Sequence, residues 1–263
     1  ILINNVLGQR YIGGGIESDV KIMIYGTPGQ DLGAFMNGPE MYVYGNAQDG
    51  TGNTMNAGKI VVHGKAGEIP GHSMRGGKVY IKGDVEYRAG IHMKEYIDQV
   101  PVLIIGGTAK DYCGEYMAGG KIIVLNLENR PGSPVGLSLG TGIHGGEIFV
   151  GGNFAYVGDV AGFNVARWDG TNWFALGSGM ENGVNALAVS GGEVYAGGYF
   201  NYAGWRVVNH VDRQVYRRHV GEALTVVQAV GEAVAAVVVG SRGEHECTGD
   251  QLHGAIRDRD SRT

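Results

Sequence analysis

Cysteine is nearly absent from this 263-residue chain: its two residues, Cys113 and Cys247, can build neither a disulfide framework nor a four-cysteine zinc site. Such sparing use fits a reducing cytoplasm. Proline is equally scarce at 6 residues, which excludes collagen and proline-rich linkers. Charged residues make up only 18% and the net charge is −5, so there is no basic footprint for nucleic acid or an anionic membrane surface. Long apolar runs are missing too. The most apolar stretch, Ala223 to Gly240, contains Gln228 and Glu232 and falls short of a membrane span. No secretory leader reads at the start, and the opening Ile1 in place of methionine suits a fragment. Apolar residues, at 43%, suffice for a packed core and argue against wholesale disorder.

What abounds is glycine: 49 residues, roughly 19% against an average near 7%. The glycines mark a repeat. The runs Ile22-Met-Ile-Tyr-Gly26, Met41-Tyr-Val-Tyr-Gly45, Ile60-Val-Val-His-Gly64 and Val79-Tyr-Ile-Lys-Gly83 each begin 19 residues after the last. Between them recurs a glycine followed three positions later by methionine, as Gly33/Met36, Gly52/Met55, Gly71/Met74 and Gly90/Met93. A five-residue insertion around Lys94 to Pro101 stretches the next interval to 24 and leads to Gly114/Met117. A seven-residue insertion around Asn129 to Leu139 stretches the following one to 26 and leads to Gly140/Ile143. Ile3 to Gly15 reads as a degenerate first unit.

Nineteen residues are too few for a propeller blade or a helix pair, and suit one coil of a right-handed parallel β-helix. Coils of that kind stack at the strand spacing of about 4.8 Å, so every repeat position becomes a column. Met36, Met55, Met74, Met93, Met117 and Ile143 then form one interior stack. Period-2 patterning turns Ile22/Ile24, Met41/Val43, Ile60/Val62, Val79/Ile81, Leu103/Ile105 and Ile122/Val124 inward. Tyr25, Tyr42, Tyr44, His63, Tyr80 and Lys82 point outward. Gly33, Gly52, Gly71, Gly90, Gly114 and Gly140 mark a corner that needs positive φ or close backbone approach. The fold class is therefore all-β, with the solenoid over residues 1–150.

These residues carry a resemblance. Gly33-Ala-Phe-Met-Asn-Gly38, Gly45-Asn-Ala-Gln-Asp-Gly-Thr-Gly-Asn-Thr-Met55, Gly71-His-Ser-Met-Arg-Gly-Gly77 and Gly114-Glu-Tyr-Met-Ala-Gly-Gly120 resemble the carboxy-terminal glycine-repeat domain of the glutamate synthase large subunit. The same module is similar to the glycine-repeat subunit of formylmethanofuran dehydrogenase. The resemblance implies a non-catalytic β-helix that packs against amidotransferase and flavin-binding synthase domains, here within one chain or as a separate subunit. It implies no cofactor in this chain, FMN and an iron–sulfur cluster belonging to partner domains. No nucleophilic amino-terminal cysteine, cysteine cluster or FMN barrel reads in the sequence.

Near residue 150 the text changes. All eight lysines lie at or before Lys121, and beyond it the basic residues other than histidine are arginines. A second repeat pairs Glu147-Ile-Phe-Val-Gly-Gly-Asn-Phe-Ala-Tyr-Val-Gly158 with Glu193-Val-Tyr-Ala-Gly-Gly-Tyr-Phe-Asn-Tyr-Ala-Gly204 at a spacing of 46. With Arg167-Trp-Asp-Gly170 between them, residues 151–211 look like one propeller blade, too little to close a propeller of about four to eight blades. Residues 212–263 form an unassigned tail. Two origins fit: a genuine fusion, or genes joined at the shared Gly-Gly-Glu-Ile-Phe-Val-Gly-Gly with a frame change near Asp212. Either way, the blade strands suit an irregular cover for the open end of the solenoid.

Candidate chemistry is thin. Gly140-Thr-Gly-Ile-His-Gly145 spells a dinucleotide fingerprint but precedes a strand instead of following one. Gly136-Leu-Ser138-Leu-Gly140 spells a nucleophile elbow without the strand–turn–helix it needs. His72, His92 and His144 stand at different offsets from their corner glycines, and His63 lies on a strand, so turn or surface roles suit them better than a metal site. Cys113 reads as a small buried residue, and Trp168 and Trp173 as packing. The sequence thus predicts no catalytic, cofactor or metal residue. It predicts a cytoplasmic structural module of a glutamate synthase-type oxidoreductase or, alternatively, a stand-alone scaffold extended by propeller-like strands.

The columns yield a test. Met74→Asp sets an unpaired charge inside the stack and is expected to cost several kcal/mol, whereas Tyr44→Asp on the outer face is mild. Equal losses of melting temperature at both positions would contradict the facing assignment.

Overall fold

In a computed structural model the described residues are 1–190, 193–198 and 200–203, with the strand segments 206–207, 211–214, 225–226 and 237–238. The short β-branched and aromatic runs become strands bounded by glycine turns: β1 (Leu2–Leu7), β2 (Lys21–Thr27), β3 (Asn37–Tyr44), β4 (Ala57–Val62), β5 (Lys78–Ile81), β6 (Val102–Ile105), β7 (Ala118–Val124) and β8 (Gly145–Gly151). Each pairs in parallel with the next, in chain order. No helix occurs among the described residues. The chain is a parallel β-solenoid.

Register follows the repeat. Ile22, Met41, Ile60, Val79, Leu103, Ile122 and Ile148 stand over one another, as do Ile24, Val43, Val62, Ile81, Ile105, Val124 and Val150. None of these side chains is more than 2% exposed. Met36, Met55, Met74, Met93 and Met117 lie beside them, wholly buried, and Ile143 ends their column partly buried. A second, shorter ladder joins Ala66, Val85, Ala109 and Val135 in successive coils. Both insertions leave this register intact: residues 94–100 and 131–133 lie exposed, and Val135 within the second insertion keeps its place in the ladder.

The corner is where the glycines act. Its glycine N–H donates across 2.8–2.9 Å to the coil before, as in Gly33 to Ile12, Gly52 to Leu32, Gly90 to Pro70 and Gly140 to Cys113. Two residues on, the N–H donates the other way, to the coil after: Phe35 to Asn53, Ser73 to Ile91 and Tyr116 to Thr141. The glycine itself holds φ between 62° and 74°, as the third residue of a type II turn requires. A Cβ at Gly33 would fall 2.6 Å from Ile60 Cδ1, and one at Gly114 2.6 Å from Ile148 Cδ1, so those side chains would have to shift as well. Gly13, at φ 73°, is the same corner in the first coil, with Ile16 at the methionine position. Its offset of 20 from Gly33 hides it from a strict 19-residue search.

After β8 the direction of pairing reverses. The short hairpin β9 (Tyr156–Val157) and β10 (Val160–Ala161) precedes β11 (Val165–Trp168), which runs antiparallel to β8. β12 (Trp173–Ala175) then pairs antiparallel with β11 and ends the ten-stranded sheet. β13 (Val184–Ser190) and β14 (Glu193–Gly198) form a separate antiparallel sheet. β15 (Tyr202–Ala203) pairs with β16 (Arg206–Val207), and β17 (Val211–Gln214) joins β14. The blade-like text is therefore divided between the end of the solenoid sheet and a second layer. That layer buries Ile104, Ile123 and Phe149 with Leu187, Val189, Val194 and Ala196. Tyr80, expected to face solvent, belongs to this second core at 5% exposure, because it points outward beneath a cover. The question whether the tail folds lies outside the described residues.

An ion cluster around the buried Asp84, with largely exposed cations, ties the second insertion to earlier coils. Asp84 Oδ2 receives Lys65 Nζ and an Arg130 guanidinium nitrogen, each at 2.8 Å. Its Oδ1 accepts the Thr108 N–H and hydroxyl, each at 3.1 Å. Burial alone would raise the Asp84 carboxyl, but the Lys65 ammonium, both Thr108 donors and Arg130 outweigh it and hold the carboxyl below its ordinary range. A carboxyl depressed on folding stabilises above its unfolded value and loses that contribution as pH falls through the folded one. Unfolding free energy is therefore expected to fall below about pH 4. Asp84→Asn should be less stable at pH 7 and show a flatter acid limb in denaturant titrations. An unchanged acid limb would remove Asp84 from the account.

Candidate functional site

Parallel stacking converts neighbouring coils into neighbouring chemistry, and the corner surface carries a chain of polar side chains. The Asn53 amide nitrogen donates to Asp31 Oδ1 at 3.0 Å, which leaves Asn53 Oδ1 as an acceptor. His72 Nδ1 lies 3.0 Å from that oxygen and is therefore the protonated nitrogen. His72 Nε2 is then an acceptor, with Ser73 Oγ 3.5 Å away. Burial, then the neighbouring His92, lowers the His72 pKa, with Asp31 opposing them. The order Ser–His–Asn imitates a hydrolytic triad. The corner has no free oxyanion donors, however: the N–H groups of His72, Ser73 and Met74 donate to Ile69, Ile91 and Gly71. The chain of polar groups is a brace across coils.

The residues weighed from sequence disperse in the same way. Ser138 occupies a left-handed corner position, φ 57°, and Gly140 to Gly145 runs from the corner into β8. His92 stacks on Tyr116 at 5.4 Å and meets His72 edge-on at 6.1 Å, so these two histidines do touch despite their unequal offsets. His63 continues a surface stack with Tyr44 and Tyr25, ring centroids 4.8 and 4.7 Å apart. Among the described residues no group of three or more His, Cys, Asp or Glu is placed to hold a metal. Trp168 packs on the main core beside Trp173 and above Gly140, closing the last coil. Cys113 is wholly buried and unpaired, and burial pushes its thiol up to about 12. The corner glycines and the methionine column are interior framework.

What remains is the outward face of the sheet. Three columns run along it: Lys21, Glu40, Lys59, Lys78, Val102 and Lys121; Met23, Tyr42, Val61, Tyr80, Ile104 and Ile123; and Tyr25 and Tyr44, with His63 next. Under β13 and β14 the columns are buried, and Lys121 donates its ammonium to the Val189 carbonyl of β13 at 3.4 Å. Over β2–β4 the described residues cover them less: Met23 and Tyr42 are half-buried and belong to neither core, Val61 packs against the margin of the second core, and Tyr25 and Tyr44 are 43% and 42% exposed. Lys21 and Lys59 flank the Tyr42 ring at 4.7 and 5.3 Å from its centroid.

A stack of glycine-cornered coils with a dry methionine interior is a structural repeat domain. The chain belongs to the family described by its GXGXG motif, whose pattern matches residues 1–160. This is the glycine-repeat family to which the sequence resemblance points. The chain is also similar to the uncharacterized protein MJ1350 of Methanocaldococcus jannaschii, with 61% identity over 154 residues. That similarity covers 57% of this chain and 59% of the relative, so the chain spans less than two thirds of the relative's length. Among the described residues no helix is long and apolar enough to cross a membrane.

The thiol provides the test of the inert interior. In a Cys247→Ser variant, Cys113 should stay unmodified by an aromatic disulfide reagent at pH 8 until denaturant is added. Prompt native-state reaction would show that the corner opens.

Proposed function

We propose that this chain serves as a non-catalytic β-solenoid of a glutamate synthase-type oxidoreductase, holding the amidotransferase and flavin-bearing parts in register. The family match over residues 1–160 carries this reading. The side-chain-filled interior supports it, since a rigid preformed wall positions partners without reorganising when they dock. FMN and the iron–sulfur cluster then reside on the partner domains, and the complex works in the cytoplasm. One observation favours a second reading, a stand-alone scaffold: the chain's own β13–β14 layer already covers part of the outward face.

Co-purification decides between them. The full chain, tagged and recovered from its native host under mild salt, is expected to carry a partner with a flavin absorbance band and glutamine-dependent synthase activity. A colourless, partner-free monomer would favour the scaffold and overturn the first reading.

A further inference from the structure

The outward sheet face is one continuous surface, half of it covered, and the covered half displays what kind of element fits. Over β6–β8 an antiparallel β-layer lays Leu187, Val189, Val194 and Ala196 on the apolar column, while Lys121 reaches a strand carbonyl from the flank. The same columns continue without a break in register into β2–β4, where Met23 and Tyr42 form the ridge and Val61 borders the covered half. Lys21, Lys59 and Lys78 stand where Lys121 stands in the covered half. Glu40 is the one acid in this stretch of the column and is paired with Lys59 at 2.9 Å, so the patch is positive on a chain of net charge −5.

We infer that the β2–β4 face, with the adjoining Lys78 of β5, docks a β-strand or hairpin of a partner protein, with apolar residues on the Met23–Tyr42 ridge and carboxylates against Lys21, Lys59 and Lys78. A second copy of this chain does not suit it. A two-fold axis along the strands sets the lysine column on itself, like charge on like, and one along the solenoid axis drives the two β13–β14 layers into each other. A nucleic acid would use the lysines but leave the ridge in water. The inference rests on the proposed positional role and names the surface that performs it.

The test uses the full chain with the partner it carries from its host, treated with nuclease and joined by a zero-length carbodiimide between amines and carboxylates. Cross-links from Lys21, Lys59 or Lys78 to Asp or Glu of a partner strand are expected. The variant Lys21→Glu/Lys59→Glu/Lys78→Glu should bind that partner about tenfold more weakly or worse, with its β-sheet circular dichroism and melting temperature retained. Met23→Ser should weaken binding without altering charge. The inference is overturned by loss of the bound material on nuclease treatment, by absence of a bound protein, by cross-links confined to other surfaces, or by full retention in both variants. A partner linked here but lacking flavin would sink the synthase reading and leave this surface standing; a flavin-bearing partner linked elsewhere would do the reverse.

Discussion

The structure depends on a hydrogen-bonded corner whose N–H groups point alternately to the coil before and the coil after. Gly33 reaches back to Ile12 and Phe35 reaches forward to Asn53, and the same alternation repeats from Gly52 to Gly114. A tight turn in an ordinary loop leaves such groups to water; here each is satisfied by its neighbour. That arrangement tolerates costly backbone. Ile69, Arg88 and Tyr112 adopt left-handed φ of 51°, 58° and 62° two residues before the glycine. Left-handed conformations cost an L-residue roughly 1–2 kcal/mol, and a β-branched one such as Ile69 is a rarer occupant still. Hydrogen bonds to the adjacent coils offset the strain, so no corner stands without its neighbours. Stability is therefore shared along the stack.

A stack held this way must manage its two ends. At one end β11 reverses direction on β8, and Trp168 packs over the last corner glycine, Gly140. At the other, β1 is an edge strand whose register shifts between Ile3 and Val6, with Asn5 at φ 57°. A bulged edge is a poor template for uncontrolled strand addition. The outward face has a related problem, solved over β6–β8 by the chain's own second layer and, among the described residues, covered less over β2–β4. On the proposed reading, position along the solenoid separates a surface for internal packing from one for a partner.

Much of this was legible in the sequence because parallel pairing ties each residue to one a coil away. An interval of 19 is a statement about contact, and Ile22, Met41 and Ile60 needed no further information to be stacked. Where side-chain reach exceeds one position the columns mislead, so His72 and His92 touch although their offsets differ. The first corner, Gly13, escaped through a one-residue change of interval. The second layer left a readable trace: β6 reads Val-Leu-Ile-Ile and is buried at all four positions, the pattern of a strand covered on both faces. The polar brace from Asp31 through Asn53 to His72 carried no signal, because unlike residue types in adjacent coils meet only once the coils are superposed.

Function follows from the same constraint. A corner that spends its backbone donors on neighbouring coils has none to offer a reacting group, and the core is filled by its own methionine and isoleucine side chains. On the proposed reading, such a wall acts through its surface. The most direct test is residue-resolved amide hydrogen exchange at the corner. Although they sit in turns, the N–H groups of Gly52, Gly71, Gly90 and Gly114 are expected to exchange as slowly as those of β3–β7. Exchange at the rate of ordinary surface turns, with the strands still protected, would mean that the corner does not hold the coils together.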